Sequence, residues 1–290
     1  MNRLILIISV LLSVSTLGAC ANMPANATEL PLNSLHIDYR DTGNPNGTPI
    51  VLIHAFPMNQ RMWDLQVEFL QQTARVITFD IRGLGKSELR GPYTLEFIVD
   101  DLIALLDQLK IKKAIVCGLS MGGFVALRAA ERNPERILGL VLADTKSEPD
   151  SDFSKLGRYR ALKSIQEQGA KAYVNDFVRS GLAAGTISDR KDVFQGVKAI
   201  AESNRSEGVQ AAILALTSRL DTTSGLSQIK VPTLILHGEL DSVIPSSEAK
   251  LMHQKIEGSQ FLIVPNAGHL SNLDNPDFFN ERLKQFIFSI

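Results

Sequence analysis

The segment Ala114-Ile115-Val116-Cys117-Gly118-Leu119-Ser120-Met121-Gly122-Gly123 decides the fold. Its first four residues are continuously apolar, the pattern of a strand buried on both faces of a parallel sheet. Residues 124–132 then read as a helix, so the turn between strand and helix is very short. So tight a turn leaves little room for side chains, and the flanking glycines relieve the crowding. The turn should hold Ser120 above the sheet with its hydroxyl exposed, and the free N–H groups of the helix N-terminus should face the same spot. A bare G-x-S-x-G also occurs as a plain glycine-rich turn. Its position at a strand–helix junction is what marks Ser120 as a candidate nucleophile.

Outward from this segment the alternation continues. Residues 35–40 alternate apolar and polar, as a half-exposed strand should. Residues 41–49 hold two Gly, two Pro and two Asn, a turn composition. Residues 50–53 and 76–79 predict buried strands before the serine, and 137–142, 233–236 and 261–264 predict them after it. Leu95, Ile98, Leu102, Leu105, Leu106 and Leu109 fall at helical spacing behind Thr94, a candidate N-cap. Helices are expected around 247–256 and 277–287. Strands alternating with helices imply an α/β fold with a mostly parallel central sheet covered by helices on both faces. Residues 146–228 break the alternation with Ala-rich, mixed-charge segments that predict about four helices. Such an insertion reads as a helical cap over the carboxyl ends of the strands, where ligands bind in open α/β sheets. Its Arg158, Arg160, Lys163, Lys171 and Arg179 read as a solvated face.

Composition excludes several classes. The 290 residues carry 30 Lys+Arg against 31 Asp+Glu, for a net charge of −1, so no basic face for nucleic acid is expected. With 44% hydrophobic and 21% charged residues, the chain is not of the disordered type. Two cysteines make neither a disulfide scaffold nor a zinc spacing. Cys117, three residues before Ser120, reads as a small core hydrophobe. Trp63 reads as a packing residue at the start of a helix. No obligate protein partner is evident.

A serine hydroxyl is a weak nucleophile and needs a base, and the base needs a carboxylate to orient it. After Ser120 the candidate bases are His237, His253 and His269. His253 lies within a helix and His237 ends a strand. His269 follows the last strand in the loop Asn266-Ala267-Gly268-His269, which can reach the carboxyl edge of the sheet, and is favoured. For the carboxylate, Asp241 leaves the preceding strand in a loop and is favoured, while Glu239 is its rival nearer the strand end. Two N–H donors are needed for a developing oxyanion. Met121, after the serine, offers one. Phe56, in His54-Ala55-Phe56-Pro57 after the first buried strand, offers the other, because Pro57 has none.

The order Ser120, Asp241, His269 resembles that of the α/β-hydrolase-fold serine hydrolases, and the likeness extends over residues 35–290. His54-Ala55-Phe56-Pro57 resembles the family's His-Gly-x-Pro segment, with Ala55 in place of Gly. Asp80-Ile81-Arg82-Gly83-Leu84-Gly85-Lys86-Ser87 resembles its D-x-R-G-x-G-x-S turn. Gly268-His269 with Asn275-Pro276 resembles its histidine segment, with Asp274 in place of Glu. Within the family the chain is most similar to 3-oxoadipate enol-lactonases, arylesterases and cofactor-free haloperoxidases, through Met121 and Arg61-Met62-Trp63. The resemblance implies cleavage of a small carboxylic ester or lactone through an acyl-enzyme, without metal or organic cofactor. Carbon–carbon bond hydrolysis, perhydrolysis or haloperoxidation on the same triad are alternatives, as is a binding module that keeps the fold without catalysis. The family's dehalogenases and epoxide hydrolases carry an aspartate nucleophile, against which Ser120 argues.

The N-terminus reads as an address. One positive charge in Met1-Asn2-Arg3 precedes an apolar run over residues 4–17, too short to span a bilayer at about 20 residues and suited to a signal peptide. Leu17-Gly18-Ala19-Cys20 resembles the bacterial lipobox, which implies a signal peptide over 1–19 and lipidation of Cys20. Residues 20–33 read as a tether and 34–290 as the folded domain. Ala21, not Asp, resembles the address of an outer-membrane lipoprotein, which implies a lipid-anchored envelope protein facing the periplasm.

Overall fold

The computed structural model describes residues 35–290; the expected signal peptide, Cys20 and the whole of the expected tether lie outside them. Seven strands form one sheet in the order β1-β3-β2-β4-β5-β6-β7. They are β1 Tyr39–Gly43, β2 Thr48–Ile53, β3 Ala74–Phe79, β4 Ala114–Leu119, β5 Ile137–Ala143, β6 Thr233–Gly238 and β7 Gln260–Val264. Only β1 runs antiparallel, its Tyr39 opposite Phe79 of β3. The central strand β4 is buried along its whole length between β2 and β5. This is why its sequence is apolar without alternation.

Among the described residues, three α-helices precede the insertion: α1 Asp64–Leu70, α2 Leu95–Gln108 and α3 Met121–Arg132. The insertion itself forms α4 Asp152–Gln168, α5 Lys171–Gly181, α6 Ala184–Asp189, α7 Lys191–Glu202 and α8 Ser206–Thr217. After β6 come α9 Ser246–Lys255, α10 Ser271–Asp274 and α11 Pro276–Phe288. Around the sheet, α1 packs on β3 and α11, α3 on β2, β4, β5 and α2, and α9 on β6 and β7. Trp63 is fully buried and tilts against Phe279 of α11.

Several local expectations change. The first strand begins at Tyr39 rather than residue 35, because the antiparallel ladder with β3 runs from Tyr39 to Gly43. The expected buried strand at 261–264 is an edge, paired only with β6, and leaves Ile263 exposed. Thr94 precedes α2 in extended conformation, but its side chain makes no capping bond. The insertion holds five α-helices, not four, and a terminal 3-10 turn at Thr223–Gln228.

The insertion is tied to the strand ends by specific bonds. Asn204, between α7 and α8, donates from Nδ2 to Pro57 O at 2.7 Å and accepts Gly85 N–H at 2.7 Å. Arg190 donates to Asp274 O at 2.7 Å, and Leu270 N–H donates to Gly181 O at 2.9 Å. Pro57, Gly85 and Leu270 lie in loops beyond β2, β3 and β7, and Asp274 ends α10, which directly follows Leu270. The five helices therefore sit over the carboxyl ends of the sheet.

Candidate active site

The turn at Ser120 has φ 54° and ψ −112°, a conformation that costs on the order of 1–3 kcal/mol for a non-glycine residue. The surroundings over-determine it. Ser120 N–H donates to Ala143 O at 2.9 Å, while Ser120 O accepts Gly123 N–H and the Thr145 hydroxyl, each at 2.9 Å. A Cβ on Gly118 would lie 2.0 Å from Gly122 O, and one on Gly122 would lie 2.1 Å from Ile53 O. Both glycines are thus required by close approach. The second approach also brings the N-terminus of α3 beside the loop after β2. α3 begins at Met121, three residues before the expected helix, so the Met121 N–H is the first of the helix.

His269 Nε2 lies 2.8 Å from Ser120 Oγ, and His269 Nδ1 lies 2.9 Å from Asp241 Oδ2. Asp241 Oδ1 accepts the N–H groups of Val243 at 2.8 Å and Ile244 at 3.0 Å. Burial pushes the Asp241 carboxyl upward, but the His269 hydrogen bond and charge, together with those N–H groups, outweigh it and hold the carboxyl below its ordinary range. The rival Glu239 is exposed and spends Oε2 on Asn266 N–H at 2.9 Å. His253 is exposed at the end of α9 and pairs with Ser259. His237 is buried, and its Nε2 lies 3.8 Å from Asp241 Oδ2. Burial holds it below the usual histidine range.

Phe56 and Met121 are both buried, and among the described residues neither N–H donates to a protein acceptor. Phe56 and Ser120 line the same cavity of about 150 Å³. Phe177 of α5 stands edge-on to both Phe56, at 5.6 Å, and the His269 ring, at 6.2 Å. Cys117 is fully buried, and burial pushes its thiol far up, so it offers no thiolate.

The sequence reading missed several groups. Asp144, fully buried after β5, accepts Gly238 N–H at 2.7 Å and the Ser271 hydroxyl at 2.5 Å, joining the loops that carry Asp241 and His269. Its unusual φ of 46° could not be foreseen from Ala143-Asp144-Thr145. Asp274 accepts Gly268 N–H at 2.7 Å and Ala183 N–H at 3.0 Å, bridging the histidine loop to the insertion. Arg158, expected on a solvated face, is half-buried and lines the Ser120 cavity. Asp144, His237 and Asp241 bring ligand-type atoms within 4.8 Å of one another. A cation there would compete with the His269, Gly238 and Ser271 bonds that already use those carboxylates.

The alpha/beta hydrolase fold family model matches residues 48–276, and the chain belongs to that family. It is 29% identical over 256 residues to 3-oxoadipate enol-lactonase 1 of Acinetobacter baylyi, covering 86% of this chain and 91% of the relative. A thermophilic esterase from Thermogutta terrifontis, solved with malate bound, superposes with a TM-score of 0.85 at 33% identity, covering 88% of this chain and 94% of that one. A bromoperoxidase from Bacillus anthracis superposes with a TM-score of 0.77 at 29% identity, covering 88% and 97%.

Proposed function

We propose that this chain hydrolyses a carboxylic ester or lactone through Ser120, His269 and Asp241. The observation that carries the reading is the continuous hydrogen-bonded chain Ser120 Oγ–His269 Nε2 and His269 Nδ1–Asp241 Oδ2, at 2.8 and 2.9 Å. Ser120 attacks the carbonyl carbon while His269 takes its proton. The oxyanion receives the N–H groups of Phe56 and Met121. Collapse expels the alcohol, protonated by His269, and leaves the acyl group on Ser120. Water, activated by the same imidazole, then releases the acid. Asp241 holds the His269 tautomer and stabilises the imidazolium without taking the proton. The similarity to an enol-lactonase and an esterase supports an ester or lactone as the substrate class. The similarity to a bromoperoxidase supports a second reading, in which hydrogen peroxide replaces water at the acyl-enzyme and yields a peracid.

A fluorophosphonate probe tests the reading directly. Label is expected on Ser120, and Ser120→Ala should lose label and lower kcat by roughly 10⁴–10⁶-fold. An unlabelled wild-type protein would point instead to a binding module. We further propose that Cys20 carries a lipid and places the enzyme at the bacterial envelope, facing the periplasm from the outer membrane. Leu17-Gly18-Ala19-Cys20 behind an apolar run supports this, and Ala21 supports the outer membrane.

A further inference from the structure

The peptide unit between Ala55 and Phe56 is held at one end and open at the other. Its carbonyl, Ala55 O, accepts Met58 N–H at 2.8 Å and lies 2.9 Å from His54 Nδ1. Ile81 N–H donates to His54 Nε2 at 2.9 Å, so the ring proton sits on Nδ1 and donates to Ala55 O. Burial holds the His54 ring below the usual histidine range, against the charge of Asp80, which keeps this tautomer neutral. The carbonyl and N–H of a trans peptide point in opposite directions. With Ala55 O pinned, Phe56 N–H is turned away from these bonds, and among the described residues it meets no protein acceptor.

The preceding peptide unit is held by a sulfur. Ala55 N–H donates to Met62 Sδ at 3.2 Å, its one acceptor among the described residues. A thioether is a weak acceptor, and Ala55 is fully buried, so no water is at hand to replace it. Met62 is itself fixed: its N–H donates to Asn59 O and its O accepts Asn272 Nδ2, each at 3.0 Å. Asn272, also fully buried, follows His269 by three residues. Met62 thus holds the segment of the base through its carbonyl and the loop of Phe56 through its sulfur.

Resting on Ser120 as nucleophile and on Phe56 N–H as an oxyanion donor, we propose that Met62 is a positioning residue for the reaction. Its thioether fixes the plane of the peptide before Ala55 and so the aim of Phe56 N–H. Such a donor stabilises the oxyanion to the extent that it is aimed before the charge develops. A buried Ala55 N–H without its acceptor would turn to find another. The two peptide planes meet at the Ala55 Cα, so that turn passes to Phe56 N–H. Leucine matches methionine in volume and offers no acceptor, so Met62→Leu removes the bond while filling the space.

Hydrolysis of p-nitrophenyl acetate by Met62→Leu tests this. kcat should fall about 10-fold or more, short of the ~10²–10³-fold that loss of a whole oxyanion donor costs. KM should change little, because the oxyanion forms only in the transition state. The pH midpoint of kcat/KM should stay in place, because the His269 bonds to Ser120 and Asp241 are untouched. Met252→Leu, the same exchange at a fully buried site in α9, should leave kcat near wild type. Thermal melts report whether each variant is folded. Should the ester not be turned over, the rate of fluorophosphonate labelling is read in its place, since the phosphonyl oxygen takes the same N–H groups. If Met62→Leu fails to fold, the wild type decides: exchange of its methionines for selenomethionine should shift the Ala55 amide proton resonance, because selenium is a different acceptor. A folded Met62→Leu with wild-type kcat and labelling rate would overturn the proposal. So would a loss that falls on KM, moves the pH midpoint or is shared by Met252→Leu, or an Ala55 resonance indifferent to selenium. Each leaves Ser120 as nucleophile standing. A wild-type protein with neither label nor turnover removes the parent reading and this one together.

Discussion

Asp241 and Asp144 are neighbouring buried carboxyls on which burial acts alike and hydrogen bonding does not. Asp241 gains His269 and two N–H groups, and its carboxyl falls below the ordinary range. Asp144 is pushed well above its range by burial and then by the charge of Asp241, which Ser271 and Gly238 only partly offset. The signs follow by linkage. The bonds of Asp241 stabilise the fold above the unfolded carboxyl value, and that contribution is lost as pH falls through the depressed folded value. Asp144 costs stability as pH rises from its unfolded value toward its raised folded one. Asp144→Asn cannot ionise and can keep the Gly238 contact through its carbonyl. Its Tm relative to wild type should therefore be more favourable at pH 7 than at pH 4. Thermal melts at both values check this, and an equal or reversed difference would show that Asp144 is ionised in the folded protein. In catalysis, Asp241→Asn should cost up to about 10⁴-fold in kcat by favouring the wrong imidazole tautomer. Glu239→Gln should cost far less, because its carboxylate accepts the Asn266 N–H and makes no bond to the His269 ring. The reverse ranking in steady-state kinetics would move the orienting role to Glu239.

At the scale of elements, one side chain couples the helical insertion to the loop that carries Phe56. Asn204 uses both ends of its amide, on Pro57 O and Gly85 N–H. Asn204→Ala leaves buried groups unpaired and should cost about 1–3 kcal/mol of stability. It should also lower kcat for esters of any acyl charge, since Phe56 N–H is held from the same loop. A denaturant melt with an unchanged midpoint would sink the coupling. Elements set by local pattern were legible in the sequence: β4 as an unbroken apolar run, and Gly118 and Gly122 as the mark of a tight turn. The order Ser120, Asp241, His269 could be read because each follows a strand of the parallel part of the sheet, β4, β6 and β7, whose carboxyl ends lie on one edge. What was hidden depends on assembly. An apolar run such as residues 261–264 reads the same at an edge as in the middle of a sheet, and only the strand order distinguishes them. Arg158 sits on a charge-rich helix, and nothing local says which turn of that helix faces Ser120.

Across the whole molecule, address and chemistry should separate. Every group assigned to the chemistry lies at or beyond Phe56, and the bonds that close the first strand begin at His36, whose O accepts Glu88 N–H at 2.9 Å. The hydrogen-bond partners described for Ser120, Asp241 and His269 all lie beyond residue 119. A chain beginning at residue 28 should therefore be recovered without detergent and retain full ester hydrolysis. The full chain, if Cys20 is acylated, should partition with membranes. Two or more acyl chains hold a protein there firmly, because each buried methylene contributes about 0.8 kcal/mol. Cys20→Ser should release it to the soluble fraction or leave an uncleaved precursor, with kcat unchanged in either form. Mass spectrometry of the N-terminal peptide from the native protein is the deciding measurement. Acyl mass on Cys20 is the expected result; an intact Met1 or a free thiol at Cys20 would show that the N-terminus is not a lipid anchor, and would leave the chemistry at Ser120 untouched.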